Sequence, residues 1–178
     1  MSKKFYVGCL KIIPERVYIS YLNHKYVEYA KANIRRYRRG GDYYLNGEAK
    51  TLDTWVNNVS VHLVFTEYLH NEYRRSFIEF HYKLCDLLDK DGMIGGILVK
   101  TGYTCPLHKR RNNKSHHQGV YRFGNLSIQT DNFPNVWPFE KGGVNVEFAM
   151  TSTGESIGSG YLNGKFVDRK KLYKMKTK

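Results

Sequence analysis

Apolar and polar residues alternate with two different periods along this chain. Over residues 23–40, apolar side chains recur every three or four positions, which predicts a helix with its N-cap at Asn23. Over residues 66–88 the same spacing predicts a second and clearer helix, which Asp91 and Gly92 terminate. The apolar positions that this second helix is predicted to turn toward the core are Leu69, Tyr73, Phe77, Phe80, Leu84 and Leu87.

The second half of the chain has glycines and β-branched residues in short runs, which is typical of strands. Strands are predicted over 144–150 and 156–167, with tight turns around Gly154 and Gly164. The runs GGILVK, YTCPLH and NLSIQT predict three more short strands before them. We therefore expect an α+β fold, with helices mainly in the first half and short antiparallel strands in the second half.

The length of 178 residues suits one ordinary domain with a real hydrophobic core. We expect a single α+β domain over residues 1–166. The remaining residues, 167–178, are predicted to form a basic C-terminal tail.

Positive charge is concentrated in three places. The net charge is +13, and sixteen of the 29 basic residues lie over 31–39, 109–114 and 165–178. Charge clustered in this way recruits a polyanion, so nucleic acid is the predicted partner, either DNA or RNA, with a solvated basic surface as the alternative. The residues predicted to contact nucleic acid are Lys31, Arg35, Arg38, Lys109, Arg110, Arg111, Lys114, Arg169, Lys170 and Lys171.

The three cysteines are an odd number without CxxC spacing, so the sequence indicates neither a disulfide framework nor a four-cysteine zinc site. A reducing compartment fits this pattern best. No stretch reaches the roughly 18 apolar residues of a membrane span. We expect a soluble, intracellular protein without a membrane partner, in the cytoplasm (its own or that of a host cell) or in a virion.

The richest candidate chemistry lies over residues 105–132. His108, His116 and His117 stand close to several asparagines and to Asp131. Imidazole can bind a divalent metal or take a proton from water, and the neighbouring cations could hold a phosphate.

A structural zinc site is an open alternative for the same stretch. Cys105 and His108 form a CxxH pair, with His116 and His117 following, and tetrahedral zinc accepts such mixtures. Two further histidines, His70 and His81, lie on the predicted second helix and are interpreted as ordinary surface or packed residues.

Residues 108–132 resemble the HNH, or ββα-metal, homing-type endonucleases of phages. The matching parts are His108, the asparagine-rich loop after it, and Asn125 at the start of an NL-x-x-x-T run. The resemblance implies that His108 is the general base and that Asn125 orients it. It also implies that Asp131 or Asn132 binds a divalent metal such as Mg²⁺, which stabilises the departing oxygen.

Three hypotheses follow. The first is a basic nucleic-acid-binding protein without catalysis, and the second is an HNH-like metal-dependent nuclease. The third is a non-enzymatic interaction protein of phage or viral type, an inhibitor or a virion component, that binds an acidic protein or a ribonucleoprotein surface.

Overall fold

The computed structural model describes residues 10–107, 119–128, 130, 133 and 137–168. This part of the chain contains eight strands and two short helices, joined mostly by tight turns. In chain order they are β1 (Leu10–Leu22), β2 (Val27–Arg36), β3 (Tyr43–Thr51), β4 (Val59–Leu69), β5 (Glu72–Lys83), α1 (Leu84–Lys90), α2 (Gly95–Val99), β6 (Val120–Leu126), β7 (Lys141–Met150) and β8 (Ser156–Asp168).

The strands form two antiparallel sheets. A five-stranded sheet has the order β1-β8-β7-β4-β5, and a three-stranded sheet has the order β2-β3-β6. The sheets are linked through the turn between β1 and β2, where Asn23 accepts hydrogen bonds from the amides of Tyr26 and Val27. The predicted α+β fold is therefore wrong, because the described chain is nearly all β-structure.

The strand period is clearest in β4. Val59, Val61, Leu63 and Phe65 are buried at alternate positions, so they point toward one face of the five-stranded sheet. They pack into two hydrophobic clusters, one around Val59, Val61 and Leu63 and the other around Phe65. Their partners include Ile157, which is completely buried.

Both predicted helices are mostly strands. The first corresponds to β2, which pairs with β3 through a turn that contains Gly40 at φ +73°. The second corresponds to the end of β4 and to β5, which pair with each other, and only its last turns, α1, are helical. Asp91 does end that short helix, as predicted.

The predicted strands over 144–150 and 156–167 lie within β7 and β8, and Gly154 lies in the turn between them. Gly164 lies inside β8 and not at a turn. The GGILVK run is also not a strand, because its first five residues form α2. The Asp91 carboxylate accepts hydrogen bonds from the amides of Ile94 and Gly95, which fixes the start of that helix.

A disulfide joins Cys85 in α1 to Cys105, twenty residues further on. It encloses both helices, and Leu107 beside it pairs with Trp55. The expectation of no disulfide is thus wrong. The disulfide also removes the cysteine-based argument for a reducing compartment. Because its sulfur is bonded to Cys85, Cys105 is also not available for the CxxH zinc site.

Candidate functional site on the outer face of the five-stranded sheet

An irregularity in β5 exposes one aromatic side chain to solvent. The pairing with β4 runs from Val64 opposite Glu79 to Thr66 opposite Arg75, so three residues of β5, 76–78, face the single residue Phe65. Such an insertion is a β-bulge, and it re-aims the side chains that it contains. Phe77 lies at the middle of this bulge and is 85% exposed.

The bulge is held in place from both sides. The amide of Ile78 donates to the hydroxyl of Ser76 at 3.1 Å, and the Ile78 side chain packs against the cluster around Phe65. On the outer side, Arg75 donates to the Glu79 carboxylate across the base of the bulge. Phe77 is therefore presented by an ordered support.

The same hairpin has other exposed apolar side chains near its tip. Leu69 and Tyr73 are each 40% exposed, and Tyr73 packs against Tyr68. Burial raises the pKa of the Tyr73 hydroxyl, and the charge of Glu15 contributes. Strand β5 is an edge strand, so these side chains lie along one edge of the five-stranded sheet.

Two histidines lie side by side on the outer face next to the bulge. His62 on β4 is directly opposite His81 on β5, and their rings stack with centroids 3.9 Å apart. His62 is also directly opposite Glu147 on β7. Glu79 precedes His81 by two residues and therefore points to the same face.

Carboxylates lie beside both ring nitrogens of His62. The two nitrogens of His62 face different carboxylates, with Nε2 at 3.4 Å from Glu79 Oε2 and Nδ1 at 3.4 Å from Glu147 Oε2. Arg75 and then His62 lower the pKa of the Glu79 carboxyl. Ligand atoms of His62, Glu79 and His81 all lie within 4.8 Å of one another, so these residues could hold a metal ion.

The predicted basic stripe occupies the outer face of the other sheet. Lys31 and Arg35 lie on the same face of β2, whereas Arg38 lies beyond its end. Lys31 is 3.5 Å from the carboxylate of Glu48 on β3. The stripe therefore exists only in part, and one of its charges is paired.

Glu48 is the centre of a hydrogen-bonded group on that face. Its carboxylate accepts from Arg122 Nε at 2.6 Å and from the Tyr29 hydroxyl at 2.7 Å. These bonds lower the pKa of Glu48 to about 2. Lys31 and Arg122 thus share one carboxylate, which reduces the positive potential of the surface.

Asn125 lies at the end of β6 with a left-handed backbone, φ 56°. Its side-chain oxygen accepts a hydrogen bond from Tyr37, and its amide donates to Asn46 at 2.8 Å. It borders a pocket of about 310 Å³ that Lys100 and Arg122 also line. These contacts tie Asn125 to Tyr37, just beyond β2, and to Asn46 in β3, which is a structural role.

The other predicted site residues lie outside the described residues. They are His108, Lys109, Arg110, Arg111, Lys114, Asp131, Asn132, Arg169, Lys170 and Lys171. The predicted catalytic pair of His108 and Asn125 and the predicted Mg²⁺ site consequently stay predictions.

The described residues are nearly balanced in charge. Of the 29 basic and 16 acidic residues in the sequence, 17 basic and 15 acidic residues are described. The described residues thus carry a net charge of about +2 of the total +13. The excess of positive charge from which nucleic-acid binding was predicted does not belong to these two sheets.

Comparisons with known proteins give a structural similarity but no sequence match. No family model matches the chain, and no curated protein matches it. Among solved structures, the chain is similar to chicken MD-1 complexed with lipid IVa, with 6% identity and a TM-score of 0.39. The match covers 89% of this chain and 97% of that chain.

The predicted nucleic-acid partner finds no support in these comparisons. The similar structure holds a lipid and not a nucleic acid, contrary to that prediction. Nothing in the comparisons supports an HNH endonuclease, and the local resemblance of residues 108–132 to that family is untested. Among the described residues, neither helix has the length and apolar character that crossing a membrane requires.

Sequence reasoning missed most of the residues at this site. Phe77 was assigned to the core stripe of a helix, and His81 was interpreted as an ordinary histidine on that helix. The alternation of β5 was the available signal, since Ser76, Ile78, Phe80 and Tyr82 are partly buried while the residues between them are exposed. His62 and Glu147 had no local signal, because only the register of three strands brings them together.

Proposed function

We propose that this protein is a non-enzymatic interaction protein that docks a protein partner through Phe77. The observation that carries this proposal is the 85% exposure of a phenylalanine at the centre of an ordered bulge. A large aromatic side chain that is exposed on a hydrogen-bonded bulge is the kind of residue that anchors protein interfaces. The partner would offer an apolar pocket for this side chain.

The expected energy is that of a single strong anchor. Burying a phenylalanine side chain contributes about 1.5–3 kcal/mol. The bulge holds the backbone of Phe77 before binding, so little additional ordering is needed. A contribution of about 2 kcal/mol corresponds to about a 30-fold change in affinity.

The charges around Phe77 favour a protein over a membrane surface. Glu72 and Arg74 form one ion pair on β5, and Arg75 and Glu79 form another. Anionic lipid surfaces attract segments with an excess of lysine and arginine, whereas each arginine beside Phe77 is paired with a glutamate of the same strand. A rim of mixed charge around an apolar centre is the usual anatomy of a protein interface.

Site-specific crosslinking would test the proposal. A photoreactive phenylalanine analogue is placed at position 77, and in a matched control it replaces Tyr21, a 48% exposed aromatic residue on the opposite edge strand β1. A protein crosslinked from position 77 alone is identified and purified, and its affinity is measured for the wild type, Phe77→Ala and Tyr21→Ala. We expect Phe77→Ala to weaken binding about 30-fold and Tyr21→Ala to leave it unchanged.

Three results would overturn the proposal. The first is equal affinity of the purified partner for the wild type and Phe77→Ala. The second is the same set of crosslinked products from positions 77 and 21. The third is binding of the wild type, but not of Phe77→Ala, to lipid vesicles without any protein partner, which would make Phe77 a membrane contact.

A further inference from the structure

We propose that His62, Glu79 and His81 form a binding site for a divalent transition metal ion of the zinc class. The site is independent of the proposed docking function, because it needs no partner and does not include Phe77. The inference rests on the register of three neighbouring strands, on the donor atoms that this register brings together, and on the carboxylate that lies beside the other nitrogen of His62.

The register makes the site a property of the fold. His81, His62 and Glu147 are directly opposite one another across β5, β4 and β7. The cross-strand pairs place the side chains of adjacent strands within contact distance on one face of the sheet. Glu79 joins them from the same strand as His81.

The donor atoms have a spacing that a metal can use. Bonds of about 2.0–2.1 Å in tetrahedral geometry place zinc ligands about 3.3 Å apart. The distance between His62 Nε2 and Glu79 Oε2 is 3.4 Å, and all three donors lie within 4.8 Å of one another. The His81 ring, which is exposed, would turn out of its stack on His62 to direct a nitrogen lone pair at the same ion.

Glu147 acts as a positioning residue for His62. Its Oε2 atom lies 3.4 Å from His62 Nδ1, so with an ion bound at Nε2 this carboxylate would accept the hydrogen bond from Nδ1–H. Histidines that bind metals almost always donate their other ring N–H to such an acceptor. Here the sheet supplies both the ligand and its orienting carboxylate.

The donor set decides which ion is expected. Two imidazoles and one carboxylate suit Zn²⁺, Co²⁺, Ni²⁺ or Cu²⁺, whereas Mg²⁺ and Ca²⁺ prefer oxygen ligands alone. Three protein ligands leave a fourth position for water or for a group from another molecule. The side chain of His62 is 26% exposed and that of Glu79 is 38% exposed, so an ion can reach them from solvent.

Arg75 opposes the ion and provides a sharp test. Its guanidinium donates to the same Oε2 atom of Glu79 that faces His62. A metal ion must share Glu79 with this guanidinium or displace it, and the positive charge of Arg75 repels the ion. Removal of Arg75 should therefore increase the affinity for the ion, an effect that a purely structural role of the histidines would not produce.

The experiment is a titration of the full chain with ZnCl₂ by calorimetry, and with CoCl₂ by its visible absorption, which reports coordination geometry. His62→Ala and His81→Ala are each expected to weaken binding at this site by more than about 100-fold, and Glu147→Gln by about 10-fold. Arg75→Gln is expected to strengthen it several-fold. His24→Ala is the matched control, because His24 lies in the turn before β2 and its ring bonds to the backbone of Glu28.

Folding is checked separately, so that a loss of binding is not confused with a loss of structure. Circular dichroism and thermal unfolding without metal are compared for all variants, and Glu79→Gln serves as a near-isosteric second ligand variant. The proposal is overturned if the wild type binds no Zn²⁺ at micromolar concentration. It is equally overturned if folded His62→Ala, His81→Ala and Glu79→Gln bind the ion as tightly as the wild type, since the ion would then lie at other residues.

Discussion

The disulfide between Cys85 and Cys105 gives a quantitative prediction about stability. The perturbation is the replacement of both residues by serine, which opens a loop closed over a separation of 20 residues. In the chain-entropy description, a loop of this length stabilises the folded state by about 3.3 kcal/mol at 25 °C. The loop contains α1 and α2. Loss of the disulfide removes a constraint on this segment alone, but it is expected to lower the free energy of unfolding of the whole domain.

The assay is urea denaturation followed by tryptophan fluorescence, with the wild type, the double serine variant and the reduced wild type measured in parallel. We expect the free energy of unfolding to fall by about 3 kcal/mol in the variant and by a similar amount after reduction. Cys9→Ser is the matched control, since Cys9 is the cysteine outside this bond. It should leave the denaturation curve unchanged.

A thiol count tests whether the disulfide exists, independently of its effect on stability. The denatured, unreduced wild type should show one reactive thiol per chain, and the reduced protein should show three. Three reactive thiols before reduction would refute the reasoning. An unchanged unfolding free energy in the double serine variant would show that the loop contributes nothing by restricting the unfolded chain.

The remaining predictions concern the core, the exposed anchor and the second sheet. Ile157→Ala should lower the free energy of unfolding by about 2–5 kcal/mol in urea denaturation, because this side chain is completely buried and would leave a cavity. Phe77→Ser should change it by less than about 0.5 kcal/mol in the same assay, since the ring makes little use of the folded interior. Glu48, whose pKa is lowered from 4.5 to about 2 by its hydrogen bonds from Arg122 and Tyr29, should contribute stability that is complete above pH 4.5 and is lost as the pH falls toward 2. In acid unfolding, Glu48→Gln should therefore flatten the pH dependence in that window, and an identical slope in variant and wild type would contradict this role.

The sequence predicts the fold best where a turn is explicit. Strands β7 and β8 are predicted from the sequence because Val144 and Val146 alternate with polar residues in the first, and a turn signal at Gly154 separates it from the second. The segment 66–88 fails because its apolar residues satisfy two periods at once. Phe80 and Phe77 are three residues apart, as on a helix, yet Phe80 faces the core and Phe77 faces solvent.

The candidate site could not be predicted from local patterns. The spacing of Glu79 and His81 is compatible with one face of a strand, but their neighbours His62 and Glu147 lie 17 and 68 residues from Glu79. Only the order of β7, β4 and β5 in the sheet brings the four side chains together. The disulfide could not be predicted for the same reason, because the spacing of the cysteines does not show that α1 lies beside Cys105.

The bulge at residues 76–78 also bears on how the protein avoids self-assembly. A regular edge strand of this length would offer a row of free amide and carbonyl groups to any other strand, which is how sheets grow from molecule to molecule into fibres. The two surplus residues break that row at its middle, and the pair of opposite charges at their base makes a flat contact unfavourable. Deleting two residues from the bulge would restore regular pairing and would be expected to turn this border of the molecule into a template for aggregation.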